Sequence, residues 1–281
     1  MSLAVSTAAL APLYGSPDLR GELVSQVALG HLLTVREEQG AFLRVRTEDG
    51  YPGWIHAGYV LRGDDGLVGA WRQEATLASL GATLSLSGRE RMLVPLGARL
   101  SAAPNGGVRL PDGRIAQVAA GRVAPLVQLR EETRVMAPAS WAEIFFAGAP
   151  YLFGGVTPWG VDSSGLVQAT YQMRGVTLPR DSGMQAEAGD PVEAADALHA
   201  FAPGDLLFFS EPADTAVGPP PATGRRIAHV AIADGEGGVV HSSLPAGGVV
   251  RSPLSGNSPE AETLRQTFVR ARRPEPGATA G

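Results

Sequence analysis

The segment Tyr151 to Gln185, YLFGGVTPWGVDSSGLVQATYQMRGVTLPRDSGMQ, restricts the fold more tightly than any other part of the chain. Asp162 precedes Ser163-Ser164-Gly165-Leu166, and a short acidic side chain ahead of small residues and an apolar run is the chemistry of a helix N-cap. Leu166, Val167, Tyr171 and Met173 then fall at spacings that suit a buried helix from Ser164 to Arg174. Ser163 therefore stands where the helix begins, beside free backbone N–H groups and the positive end of the helix dipole, a setting that favours a developing anion. Asp-Ser-Ser-Gly alone is a common turn string. Its flanks, Tyr151-x-Phe153-Gly154-Gly155 and Leu178-Pro179-Arg180-Asp181-Ser182, give it weight.

The remainder of the chain bounds what such a helix could serve. At 281 residues, 44% hydrophobic, with 36 Gly and 22 Pro, the protein has room for two or three turn-rich folded domains. A formal charge of −5 offers no basic field for nucleic acid or anionic lipid. No run approaches the roughly 18 apolar residues of a membrane span. Cysteine is absent, which removes disulfides, thiolate metal sites and any thiol nucleophile. The opening MSLAVSTAALAPLYGS lacks a basic region and makes a poor secretory signal. The expected compartment is thus the cytoplasm, or the cell envelope had a leader been trimmed.

Short alternating segments punctuated by turns run from Ala4 to about Arg62, among them Glu22–Val27, Leu32–Arg36, Ala41–Arg46 and Gly53–Ile55, the pattern of a small β-barrel. Similar β-like segments recur from about Gly66 to Leu126, including Arg91–Leu100 and Gly113–Val118. Arg130 to Ala139 reads as a linker or first strand, and Trp141 opens a short helix capped by Ser140. Gln185 to Ala200 is helical or irregular. After the Pro203-Gly204-Asp205 turn come a buried strand from Leu206, a loop at Pro219-Pro220-Pro221, and the strands Ile227–Ala233 and Gly238–Ser243. The last two contain His229 and His241 and turn at Asp234-Gly235, so the histidines belong to one hairpin and can meet across it.

These residues resemble the NlpC/P60 cell-wall peptidases. In that family an aromatic-Gly-Gly approach leads into Asp-Cys-Ser-Gly-Leu at the start of a helix, followed by Leu-Pro-Arg-x-Ser. Ser163 occupies the position of the family's cysteine. The N-terminal stretch, with Ala11-Pro12-Leu13-Tyr14, Arg44-Val45-Arg46, Gly50-Tyr51 and Gly53-Trp54-Ile55, resembles a bacterial SH3 domain. The resemblance implies a multi-domain chain: an SH3-like barrel over 1–63, a degenerate second one over 64–128, and an α+β papain-like domain over 129–281. It also implies catalytic roles for the nucleophile position Ser163, the general base His229, its orienting partner His241, and Tyr151 as an auxiliary hydrogen-bonding group. Asp162, Ser164 and Ser182, with Arg180 of the same motif, would bind substrate. The implied substrate is a peptidoglycan-derived peptide, L-Ala-γ-D-Glu-diamino acid, with no cofactor. His31, His56 and His199 have no such setting and read as structural. His229, His241 and Asp162 could suggest a metal, but the resemblance accounts for them more simply.

The serine changes the chemistry. A thiol beside imidazole ionises, with a pKa that can fall to about 3.5–7.5, whereas a hydroxyl does not and must lose its proton in concert with attack. A loss of ~10⁴ in rate corresponds to ~5.5 kcal/mol of transition-state stabilisation. Three readings stand at this point: a peptidase silenced or much slowed at one atom, a non-catalytic peptide binder using the same groove, and a serine amidase.

Overall fold

The computed structural model describes residues 2–193, 201–211 and 225–274. The chain divides into two compact units, Met1–Glu131 with Phe153–Gly155, and Glu132–Leu152 with Val156–Gly281.

The first unit is built almost wholly of strands. β1 (Ser2–Ser6), β2 (Leu10–Tyr14), β3 (Leu23–Ala28), β4 (Leu32–Gln39), β5 (Phe42–Arg46), β6 (Pro52–His56) and β7 (Val60–Gly63) form one sheet, in the order β3-β2-β6-β5-β4-β1-β7. Alternation sets the inward face: Leu43 and Val45 are fully buried while Arg44 and Arg46 between and beyond them are exposed. Gly50, at φ 83°, closes the β5–β6 hairpin in a conformation open to glycine, with Thr47 and Tyr51 paired across the turn. This is the strand-built SH3-like domain expected from the sequence.

α1 (Asp65–Glu74) leads to β8 (Leu77–Ser85), β9 (Arg91–Ala102), β10 (Val108–Arg109) and β11 (Ile115–Pro125), which close into a small barrel in the order β10-β11-β8-β9. Leu84, Leu100 and Leu110 fill its core. The sequence reading gave only β-like segments here and missed α1. That helix is started by Asp64, which accepts from the Leu67 N–H at 2.9 Å, and is anchored by buried Trp71, whose indole donates to the Gly30 carbonyl at 2.8 Å.

Two further expectations are corrected. The segment taken for a linker or strand belongs to a helix, α2 (Leu126–Val135), because Leu129 and Thr133, four residues apart, turn one buried face inward while charged residues cover the other. The next helix, α3 (Pro138–Phe145), is not capped by Ser140. It begins two residues earlier with Pro138 in its first turn, where the missing N–H costs nothing.

β12 (Val156–Thr157) and β13 (Gly160–Val161) form a short hairpin ahead of α4 (Ser163–Met173) and α5 (Ser182–Gln185). β14 (Asp190–Val192), β15 (Leu206–Ser210), β16 (Ile227–Ala233), β17 (Gly238–Ser243), β18 (Gly248–Pro253), α6 (Pro259–Thr267) and β19 (Phe268–Arg273) complete the second unit. Its six-stranded sheet has the order β14-β19-β15-β16-β17-β18, with every pair antiparallel. α3 and α4 pack on β16 and β17, and α6 packs on β15 and β18. Coverage by helices explains why Leu206–Phe209 and all of β17 are buried, without the alternation of a half-solvated strand. β14 lies within the stretch read as helical or irregular; residues 194–200 of it, His199 included, and the Pro219–Pro221 loop lie outside the described residues.

Candidate active site

Asp162 caps α4 as its spacing predicts: the carboxylate accepts from the Gly165 N–H at 2.7 Å. The same carboxylate accepts from the Ser164 hydroxyl at 3.1 Å and binds Arg180 through both oxygens, at 3.0 and 2.6 Å. Arg180 also donates to Ser164 Oγ at 2.8 Å. All three side chains are buried, Arg180 to 2% exposure. A buried carboxylate is tolerable here because a guanidinium fork and a backbone N–H satisfy it together. Gln185 fixes the outer side of this turn, donating to the Ser164 and Pro179 carbonyls at 3.0 and 2.8 Å.

Ser163 is the first residue of α4 and is 7% exposed, held between these two anchored neighbours. Tyr151 bridges to Val161, on the strand leading into Asp162. Burial raises its phenol pKa and the nearby Asp162 carboxylate raises it further, so the group stays a hydrogen-bond donor. Ser182 is the first residue of α5, which packs against α4 and β16.

The two histidines meet. Continuing the β16–β17 register, in which Ile232 faces Val240, places His241 opposite Ala231 and His229 two residues along on the same face. His229 Nε2 and His241 Nδ1 are 2.7 Å apart, and the second nitrogen of His241 lies 3.0 Å from Ser252 Oγ and 3.4 Å from a Glu260 carboxylate oxygen. Burial pushes the His229 pKa down to about 3, with the neighbouring His241 adding to the shift. Burial lowers His241 as well, partly opposed by Glu260. His229 is therefore neutral at physiological pH.

The histidine pair and the α4 N-terminus belong to elements packed on one another, and Ser242 of β17 donates to the Val161 carbonyl at 2.6 Å, tying the histidine strand to the chain that delivers Ser163. Ser252 and Glu260 were missed by the sequence reading. Ser252 has a signal in hindsight, since β17–β18 pairing sets His241 opposite Val250 and places Ser252 diagonally across from it. Of the histidines read as structural, His31 bonds to Glu48 and the Gly97 carbonyl, and His56 accepts from the Gly58 N–H.

The N-terminus of α4, packed on an antiparallel sheet that carries a hydrogen-bonded imidazole pair, gives the second unit an α+β fold. Residues 148–268 match the NlpC/P60 family, and residues 13–58 match the bacterial dipeptidyl-peptidase Sh3 domain. The C-terminal unit thus contains an NlpC/P60 domain, and the first sheet contains a bacterial SH3 domain.

The chain is 35% identical over 126 residues to a γ-D-glutamyl-L-lysine dipeptidyl-peptidase of Bacillus subtilis, covering 44% of this chain and 34% of that protein, so it spans about a third of that relative's length. It is 27% identical over 253 residues to the Bacillus cereus protein of the same description, covering 83% and 71%. The crystal structure of a Bacillus cereus NlpC/P60 family protein shares the fold at TM-score 0.77 and 21% identity, covering 96% of this chain and 99% of the other.

Among the described residues, no helix is long and apolar enough to cross a membrane.

Proposed function

We propose that the C-terminal domain binds cell-wall peptides of the L-Ala-γ-D-Glu-diamino-acid type and holds them in an amidase framework whose hydrolytic step is strongly slowed by Ser163. The observation that carries this reading is the pairing of His229 with His241 on a sheet packed against a helix whose first residue is a serine. The names of the Bacillus relatives supply the substrate class. In a thiol enzyme the resting pair is thiolate and imidazolium, each stabilising the other. A hydroxyl supplies no negative charge, so burial acts on His229 unopposed and leaves it a neutral, weak base. Attack by Ser163 then requires proton transfer to a ring with little affinity for the proton, while α4 still offers its N-terminal N–H groups to the oxyanion.

Asp162, Ser164 and Ser182 are assigned to the peptide's free amine and D-Glu carboxylate, with Arg180 holding Asp162 and Ser164 in place. Calorimetric titration of the full chain with L-Ala-γ-D-Glu-L-Lys and with its N-acetylated form tests the assignment. Binding of the free-amine peptide with at least tenfold weakening on acetylation is expected. Equal binding of both, or of neither, would refute it.

A serine amidase is the second reading, and one observation favours it: a neutral His229 is the resting state a hydroxyl nucleophile needs.

A further inference from the structure

At the far end of α4 from Ser163, the second unit holds a cavity of about 360 Å³ bordered by Arg134, Arg174, Arg273 and Asp205. Its walls include Pro138, Val176 and Pro203. Three guanidinium groups thus meet one carboxylate, and that carboxylate is already committed. Asp205 is 1% exposed, binds Arg273 through both oxygens at 2.7 and 2.9 Å, and accepts from the Ala202 N–H. The other two arginines spend only part of their donors on the protein. Arg134 gives Nε to the Arg174 carbonyl at 3.1 Å, and Arg174 gives Nη1 to the Thr133 and Met136 carbonyls. Among the described residues, the outer nitrogens of Arg134 and Nη2 of Arg174 take no acceptor. Burial lowers the Arg174 pKa, opposed by the Tyr171 phenol, and the Arg134 charge lowers it further.

The floor is rigid. Tyr171 donates its hydroxyl to the Gly204 carbonyl, and Gly204 stands at φ 93°, where a Cβ would lie 2.8 Å from Pro138 Cγ. The negative end of the α4 dipole points this way and disfavours an anion, but its last carbonyls are taken: Thr133 Oγ1 donates to Met173 and Arg134 to Arg174. The fixed charges outweigh what remains of it.

We propose that this cavity is a binding site for a small dianion, separate from the peptide site. The chemistry is that of two negative oxygens within guanidinium reach, beside an apolar body seated on the prolines. A phosphate monoester and a short dicarboxylate both present it.

The test is a titration of the full-length protein, followed by amide and Arg side-chain NMR shifts, with inorganic phosphate and separately with glutarate, ionic strength held constant by chloride. Saturable shifts at Arg134, Arg174 and Gly204 are expected. Saturation by phosphate alone identifies a phosphoryl ligand, and saturation by glutarate alone a dicarboxylate. Arg134→Gln is expected to weaken binding about tenfold, and Arg134→Lys to recover part of that loss because it keeps the charge without the guanidinium fork. Non-saturating shifts with both anions, or equal affinity in the parent and Arg134→Gln, would overturn the proposal.

Discussion

His229 Nε2 lies 2.7 Å from His241 Nδ1, so one of the two nitrogens carries a proton and the other receives it. The second His241 nitrogen then faces Ser252 and Glu260, which makes a chain of polar groups running from the centre of the sheet to the first turn of α6. Only the far end carries a charge when both rings are neutral. Protonating His229 places a cation in a partly buried setting where the nearest ring offers no negative charge.

That arrangement makes stability depend on acidity. The His229 pKa falls from 6.5 to about 3 on folding, so below its unfolded value the unfolded chain binds more protons than the native one. The contribution is complete above about pH 6.5 and is lost as pH falls towards about 3. Because His229 is only partly buried, solvent reduces the effect, and the destabilisation expected between neutral pH and about pH 4 is on the order of 2 kcal/mol. Urea unfolding of the parent and of His229→Asn across that range measures it, and the variant should show a flatter profile.

Arg180 is the stabilising partner of a buried carboxylate. Arg180→Ala leaves Asp162 buried without its cation and is expected to cost about 3–5 kcal/mol, with Arg180→Lys recovering only part because an ammonium cannot span both carboxylate oxygens. Chemical denaturation reads this directly. Full stability in Arg180→Ala would mean that Asp162 finds its stabilisation elsewhere.

Glu260 approaches His241, the ring that touches His229, and is expected to act on His229 through it. It is half-exposed and 3.4 Å from the ring, so its effect is modest. In a Ser163→Cys background, Glu260→Gln is expected to lower kcat about 3- to 10-fold at unchanged KM. Because Glu260 is what opposes the downward shift of His241, the substitution should also move that ring's titration further down, as seen by imidazole ¹⁵N shifts. An unmoved titration would remove Glu260 from the chain.

What could be read from the sequence was whatever local chemistry determines. Asp162 announces the start of α4 because an N-cap is a short-range bond, and Asp234-Gly235 announces the hairpin because turn geometry selects those residues. The meeting of His229 and His241 follows from that turn. Glu260 could not be read, since its approach to His241 depends on where β18 ends and α6 begins, and no spacing rule encodes that. Arg180 was read as part of a substrate motif, while its bonds to Asp162 and Ser164 needed the return of the chain after α4. α1 and α2 were hidden for a different reason: each buries only a narrow apolar face, such as Leu129 with Thr133, and the surrounding β-like spacing is stronger.

The measurement that bears most directly on the central claim is turnover of L-Ala-γ-D-Glu-L-Lys by the parent protein, Ser163→Cys, and Ser163→Cys with His229→Ala, followed by mass spectrometry of the products. The account predicts cleavage by Ser163→Cys at least ~10⁴-fold faster than by the parent, and loss of that gain when His229 is removed. Equal rates for parent and Ser163→Cys, or a peptide that binds yet is cleaved by neither, would contradict it.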